Sequence, residues 1–368
     1  MKKKRKVTFF YSRLEERQIF NQISEELKKN NFKVEFSTNL KKKADIGFYC
    51  ESDSNPENSK ISAIFLGGLD QGRLDWPNIW NKQPWSKFDL GFLPGINWAK
   101  RWKLCSGQTK ARTKSGVYNV GWPKSDFLFN KNLKHKIKNK IIKKYRINPK
   151  KINILYAPSF ECFDRQLEVT EAVKKNGYNL IVKHWLIKKE KKFIDLWNEI
   201  RNSNYKSKKI YNKKTFIIDP NENFLSILDF VNLIITDESS VAYEGLIKNV
   251  PTISVEDWMI RRHNKAVVRF VKPASLTFRT KKRRLDTSIK KLINNKSVNK
   301  KLKSLLRKEI SYLGKSSKIV TDLLVMFLKN KELPKKTQYF IKPKTKVSMI
   351  DNMINSLPYK KIPFLKNY

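Results

Sequence analysis

The chain has 368 residues, with 79 Lys+Arg against 33 Asp+Glu and a formal net charge of +46, a length that suits about two domains. Apolar and aromatic residues run throughout, which excludes global disorder, and no apolar run reaches the roughly 18 residues needed to span a bilayer. Cys50, Cys105 and Cys162 lie far apart with no CxxC, and His135, His184 and His263 are the only histidines, which argues against a disulfide scaffold and a Cys- or His-rich metal centre.

Basic residues 2–6 precede too short an apolar patch for a secretory leader and read as the lead-in to a first strand at 7–11 (VTFFY). Residues 14–30 follow as a helix with Ile19, Phe20, Ile23 and Leu27 on one face. Short strands are expected at 33–37, 46–50, 61–66, 88–93 and 116–120, and the Trp- and Pro-rich stretch 70–102 reads as a loop region at the carboxyl edge of this first sheet. Residues 131–151 hold ten basic residues and no acid on a helical repeat of Leu133, Ile137, Ile141 and Tyr145. The domain boundary is placed at Asn148-Pro149. Strands at 151–156, 179–182, 215–218, 233–236 and 251–255 then alternate with helices at 164–176, 193–203, 225–230 and 240–248. A long helical region is expected onward to about residue 328, and 331–368 reads as a basic surface tail. The expected fold is α/β, two Rossmann-like doubly wound domains (1–147 and 148–330) facing a cleft, where ligands sit beyond the carboxyl ends of strands.

The charge does not point to nucleic acid. Of the basic residues 63 are Lys and 16 are Arg. Lys, Asn and Ile rise together, as a base-composition bias produces, whereas base-edge readout favours the fork of Arg. The basic cluster 131–151, with its helix at about 131–146, and the stretch 276–310 with 13 basic residues and two acids, read first as solvated faces. The second reading is contact with an anionic membrane surface or a polyanionic substrate, and nucleic acid ranks third.

Chemistry concentrates in three strand ends. In residues 229–255 (DFVNLIITDESSVAYEGLIKNVPTISV) a buried strand runs into Asp237-Glu238-Ser239-Ser240 and a helix start. That start offers unpaired N–H groups and hydroxyls suited to phosphate, with Glu244 one turn in, where a carboxylate can accept from ribose hydroxyls. Alternatively, Ser239 is an N-cap and Glu244 a surface residue. In GYNLIVKHW, a strand delivers Lys183 and His184, a cation for a diphosphate and a proton donor near neutral pH; a packed histidine is the competing reading. In ILYAPSFE, Pro158 and Ser159 follow a third strand, either as cleft-facing polar groups or as an ordinary turn.

The order ILYAPSFE, IVKHW and LDFVNLIITDESSVAYEGLIKNVPTI resembles the carboxyl-terminal domain of the CDP-glycerol glycerophosphotransferase family, enzymes of teichoic-acid-type polymers with the type B glycosyltransferase architecture. Gly121-Trp122-Pro123-Lys124-Ser125-Asp126 is similar to the family's G-x-P-[RK]-x-D. The resemblance implies that Ser239 and Ser240 bind donor phosphates, Asp237 shapes their loop, and Glu244 faces the ribose or glycerol end. It implies Lys183 and His184 at the diphosphate and leaving group. The implied reaction moves glycerol phosphate or a related group from a nucleotide-activated, CDP-glycerol-like donor to a cell-envelope polymer or lipid-linked acceptor, without a metal or other cofactor. It implies a cytoplasmic protein, peripheral on the inner membrane face. The alternatives are a nucleotide-sugar glycosyltransferase of the same fold and a non-catalytic polyanion-binding protein. The sequence departs from the family's pattern in three places. Gly67-Gly68 stands where the family's His-Gly supplies an acceptor base, for which Asp70 is the substitute. Trp185 follows the histidine in place of Pro, and Glu238 replaces the Tyr of TDYSS.

Overall fold

The computed structural model describes residues 5–50, 54–66, 68–69, 79–82, 84–159, 162–185, 191, 194–261, 268–330, 337–347 and 349. The chain divides into two compact units, Met1–Asn130 with Arg307–Tyr368, and Lys131–Leu306.

The first unit is built on a six-stranded sheet of order β2-β1-β3-β4-β5-β6. Its strands are β1 (Lys6–Phe10), β2 (Lys33–Ser37), β3 (Ala44–Cys50), β4 (Ser59–Phe65), β5 (Leu90–Leu93) and β6 (Val117–Asn119), all pairing in parallel. Helices cover a parallel sheet on both faces, so its strands bury side chains both ways; in β3, Phe48 and Tyr49 are adjacent and both fully buried. On one face Phe9, Phe48, Phe65 and Phe92 pack with Ile19, Phe20, Ile23 and Leu27 of helix Leu14–Lys29. Each such phenylalanine contributes about 1.5–3 kcal/mol. That helix begins where the Glu16 carboxylate accepts Ser12 N and Arg13 N. It stops because Asn31, at φ 62°, turns left-handed and lets Phe32 N reach Leu27 O at 3.1 Å.

The Trp-rich stretch is not a loop where it is described. It contains β5 and helix Ile96–Cys105, whose Trp98 and Trp102 are buried, with Trp102 Nε1 donating to Ala111 O at 2.8 Å. The expected boundaries shift as well. The basic helix Lys131–Tyr145 belongs to the second unit, and helix Ser316–Asn330 packs Ile319, Val320, Leu323 and Leu324 into the first unit's core. The Trp122–Asp126 motif holds this return: the half-buried Asp126 carboxylate accepts Ser317 N at 2.7 Å. Gly121, at φ +85°, passes so close that a Cβ would lie 2.3 Å from Ser311 O. Part of the C-terminal segment, read as a surface tail, extends the sheet edge, with Asn119 N donating to Tyr339 O and Ile341 N to Val117 O.

The second unit carries a six-stranded parallel sheet of order β14-β11-β10-β7-β8-β9. The strands are β7 (Asn153–Tyr156), β8 (Asn179–Val182), β9 (Thr215–Ile217), β10 (Leu233–Thr236), β11 (Thr252–Val255) and β14 (Phe278–Thr280). Helix Gln166–Lys175 buries Val169, Ala172 and Val173 against Ile154, Tyr156, Leu180, Val182, Leu233 and Ile235. Helix Val241–Ile247 lies flush on the sheet because it carries Gly245: a Cβ there would stand 2.6 Å from Ile234 Cδ1 and 2.8 Å from Thr252 Oγ1. The stretch expected to be wholly helical instead forms an antiparallel hairpin of β12 (Met259–Arg261) and β13 (Val268–Phe270), then β14 on the sheet edge. Helices resume only at Leu285. The β-branched, aromatic run around Val268–Phe270 pairs across strands, and that tertiary pairing outweighs the helical reading. The α/β class and the doubly wound layout of each half are as the sequence implies.

Candidate active site

β10, β7 and β8 are neighbours, and their carboxyl ends stand level. Ile235 pairs with Tyr156 and Tyr156 with Val182, while Ala157 N donates to Ile235 O and Lys183 N to Tyr156 O, both at 3.0 Å. All three polar segments singled out from the sequence therefore leave the same sheet edge side by side, about 4.8 Å apart.

Asp237 joins two of them. It is 1 % exposed. Its carboxylate accepts Ser159 N at 3.0 and 3.1 Å, Ser159 Oγ at 2.5 Å, and Ser239 N at 3.1 Å. Burial pushes its pKa up, against the lowering effect of the Ser159 hydrogen bonds. On its flanks Thr236 Oγ1 donates to Ala157 O and Ser254 Oγ to Asp237 O, both at 2.6 Å. Pro158, buried beside it, contributes no N–H to this network and leaves Ser159 as the donor. The helix that follows is short: the Ser239 hydroxyl accepts Val241 N at a long 3.4 Å, and Ser240 O accepts Tyr243 N and Glu244 N at 3.0 and 3.4 Å. Glu244 is buried, at 5 % exposure, and not a surface residue.

Lys183 and His184, the two residues after β8, share the edge but diverge. Lys183 Nζ donates to Pro220 O at 2.8 Å, toward β9 and away from the β10 loop. The His184 ring turns to the helix side. Its Nε2 lies 2.8 Å from Gln166 Oε1 and 3.3 Å from Asn204 Oδ1, the latter on helix Ile194–Tyr211. Gln166 Nε2 itself donates to Asn204 Oδ1 at 2.9 Å. Both neighbours of Nε2 are acceptors, so Nε2 carries the proton and Nδ1 the lone pair. Nδ1 is buried and has no hydrogen-bond partner among the described residues. Burial lowers the His184 pKa to about 4, with the positive charge of Lys183 adding to the effect. The expected proton donor near neutral pH is thus an uncharged ring. Its second nitrogen, sealed in the interior, carries a lone pair and no proton to donate.

Asp70, and Gly67 of the Gly67-Gly68 pair, lie outside the described residues. Among the described residues no group of three or more His, Cys, Asp or Glu is arranged to hold a metal ion, and no helix is long and apolar enough to cross a membrane.

Sequence reasoning missed Gln166, Asn204 and Arg269. The first two orient His184 across separations of 18 and 20 residues and leave no local signal. Arg269 pairs with Glu238 at 2.9 and 2.5 Å; reading 256–328 as helix hid it, although the β-branched run Ala266-Val267-Val268-Arg269-Phe270-Val271 is a strand signal.

The sequence profile of the CDP-glycerol:poly(glycerophosphate) glycerophosphotransferases matches residues 109–326, spanning all three strand ends. The chain belongs to this family. It is a transferase of that class, and the family pattern read from its strand ends holds. In fold the protein is similar to the wall teichoic acid polymerase TagF, with TM-score 0.62, 16% identity, and 89% of this chain and 90% of that chain covered. A CDPG-soaked TagF variant superposes with TM-score 0.62 at 13% identity, covering 89% of each chain. The UDP-GlcNAc 2-epimerase from Neisseria meningitidis bound to UDP-GlcNAc shares the fold at TM-score 0.60 and 14% identity, covering 88% of this chain and all of that one. No curated protein matches by sequence.

Proposed function

We propose that the carboxyl edge of the second sheet holds the nucleotide end of a CDP-glycerol-type donor, and that the enzyme transfers glycerol phosphate to a phosphate-containing envelope polymer or lipid-linked acceptor. The observation that carries this reading is the Asp237 network, which fixes the Pro158-Ser159 and Ser239-Ser240 loops side by side at the ends of adjacent parallel strands. In open α/β sheets such strand ends are where ligands dock.

An acceptor hydroxyl attacks the β-phosphorus of the donor, the bond from that phosphorus to the bridging oxygen breaks, and CMP leaves with the electron pair. Charge grows on the departing phosphate, and positioned donors that stabilise it lower the barrier. Lys183 supplies positive charge at this edge. His184, neutral and buried, holds the end of this strand in place through Gln166 and Asn204. Glu244 faces the ribose or glycerol end, Ser240 the phosphates, and Asp70 takes the acceptor proton. The chemistry proceeds through these side chains without a cofactor. The clustering of basic residues at 131–151 and 276–310 favours an anionic membrane surface as the place of work, at about 1 kcal/mol per basic residue near the leaflet.

The test is a donor panel on the purified chain, with CMP release from CDP-glycerol measured against UDP release from UDP-GlcNAc. CMP release is expected, reduced about tenfold or more by Lys183→Ala. Release of UDP alone would transfer the assignment to a nucleotide-sugar enzyme. Unchanged turnover in a Lys183→Ala, Ser239→Ala double variant would remove this edge from the reaction.

A further inference from the structure

The loop after β10 carries a second buried carboxylate. Glu238 is 4 % exposed and adjoins Asp237. Two neighbouring carboxylates where a phosphate must dock are unfavourable unless one is neutralised. Glu238 is met on both oxygens: Arg269 Nη2 donates to Oε1 at 2.5 Å, Arg269 Nη1 to Oε2 at 2.9 Å, and Lys272 N to Oε2 at 2.9 Å. This bidentate pairing fixes the plane of the guanidinium, which a lysine would not do.

Core packing places Arg269 there. In the hairpin, Arg269 stands opposite Ile260, which is fully buried, while Met259 and Phe270 pair on the outer face at 42% and 60% exposure. Trp258 and Val271 bury the hairpin's base, and Val271 N donates to Trp258 O at 2.9 Å. The hairpin is thus anchored in the core at one end and to the β10 loop at the other. Glu238 lies between Asp237, which binds Ser159, and Ser239, so moving it would drag both. The family pattern has Tyr at this position, and a tyrosine could not make this ion pair.

We propose that the Glu238–Arg269 pair positions the donor-phosphate loop of this chain. It holds residues 237–240 in their binding geometry and cancels the charge that Glu238 would otherwise direct at a phosphate. Arg269 is a positioning residue and acts through Glu238. The inference rests on reading this loop as the donor site, and its test separates the two.

CDP-glycerol affinity is measured by calorimetry on the purified full chain, together with KM and kcat for CMP release and the melting temperature. The variants are Arg269→Gln, Glu238→Gln, Arg269→Lys, the double Glu238→Gln/Arg269→Gln, and Ser239→Ala. Each Gln variant is expected to raise Kd and KM about tenfold and to change kcat by less than about twofold. Arg269→Lys should fall between wild type and Arg269→Gln. The double variant should be no weaker than the worse single, because the two side chains act through each other. It also leaves no unpaired buried charge, so it keeps the test open if a single variant fails to fold. A lower melting temperature with unchanged Kd, or additive single effects, would overturn the proposal. If Ser239→Ala weakens binding and Arg269→Gln does not, the clamp fails and the donor site stands. If CDP-glycerol binds and no loop variant alters its Kd, the donor-loop reading falls, and the clamp with it.

Discussion

The buried His184 ring makes stability depend on pH in a calculable way. Its pKa is lowered to about 4 in the folded protein by burial, against about 6.5 in the unfolded chain. Between those values the unfolded state binds the extra proton, so stability is fully present above pH 6.5 and is lost as pH falls toward 4. The whole shift corresponds to about 3 kcal/mol, of which about 2 kcal/mol is lost by pH 5. Other groups titrate in the same range, so the measurement is a difference. Urea unfolding of wild type and of His184→Gln, which keeps an N–H donor for Gln166, is compared at pH 8 and pH 5. Wild type should lose about 2 kcal/mol more than the variant over that interval. The imidazole resonance assigned to His184 by its absence from the variant should titrate near pH 4. A difference between the two proteins that is constant with pH to within about 0.5 kcal/mol, or a resonance moving near pH 6.5, would refute the neutral ring and reopen an acid role for it.

Asp237→Ala leaves Ser159 N, Ser159 Oγ and Ser239 N without their acceptor. Removing a carboxylate that burial already penalises offsets part of that loss. Denaturant unfolding should show a net loss of about 2–4 kcal/mol, and a neutral result would mean the loops are held by something else. Gly121→Ala forces a side chain into φ +85° and sets its Cβ 2.3 Å from Ser311 O. It should cost more than about 2 kcal/mol in thermal or denaturant unfolding; an unaltered midpoint would show that the return segment shifts freely.

The family's G-x-P-[RK]-x-D motif also gains a physical meaning. Burial raises the Asp126 pKa to about 6, and its carboxylate accepts Ser317 N at the start of helix Ser316–Asn330. The motif fastens the returning chain to the first unit.

Much of this protein is written locally. Residues 33–37, 179–182 and 233–236 are strands with the expected bounds, because β-branched and aromatic runs between polar breaks have few other uses. The order of strand-end motifs suffices to name the family. What sequence left open was decided by partners distant along the chain. Lys183 and His184 are adjacent in sequence, just past the end of β8, and part ways because one donates to Pro220 O beyond β9 and the other is held by Gln166 and Asn204 on the helix side. His184 loses its charge because helices 20 residues away wall it in, and a protonation state depends on solvation that no neighbour in sequence supplies. Glu238, which the sequence marks only as a departure from the family's Tyr, is paired by Arg269 on a hairpin 31 residues on. Local preference chose the elements; burial and long-range pairing, which exist only once the sheet has closed, fixed the charge and direction of the side chains at its edge.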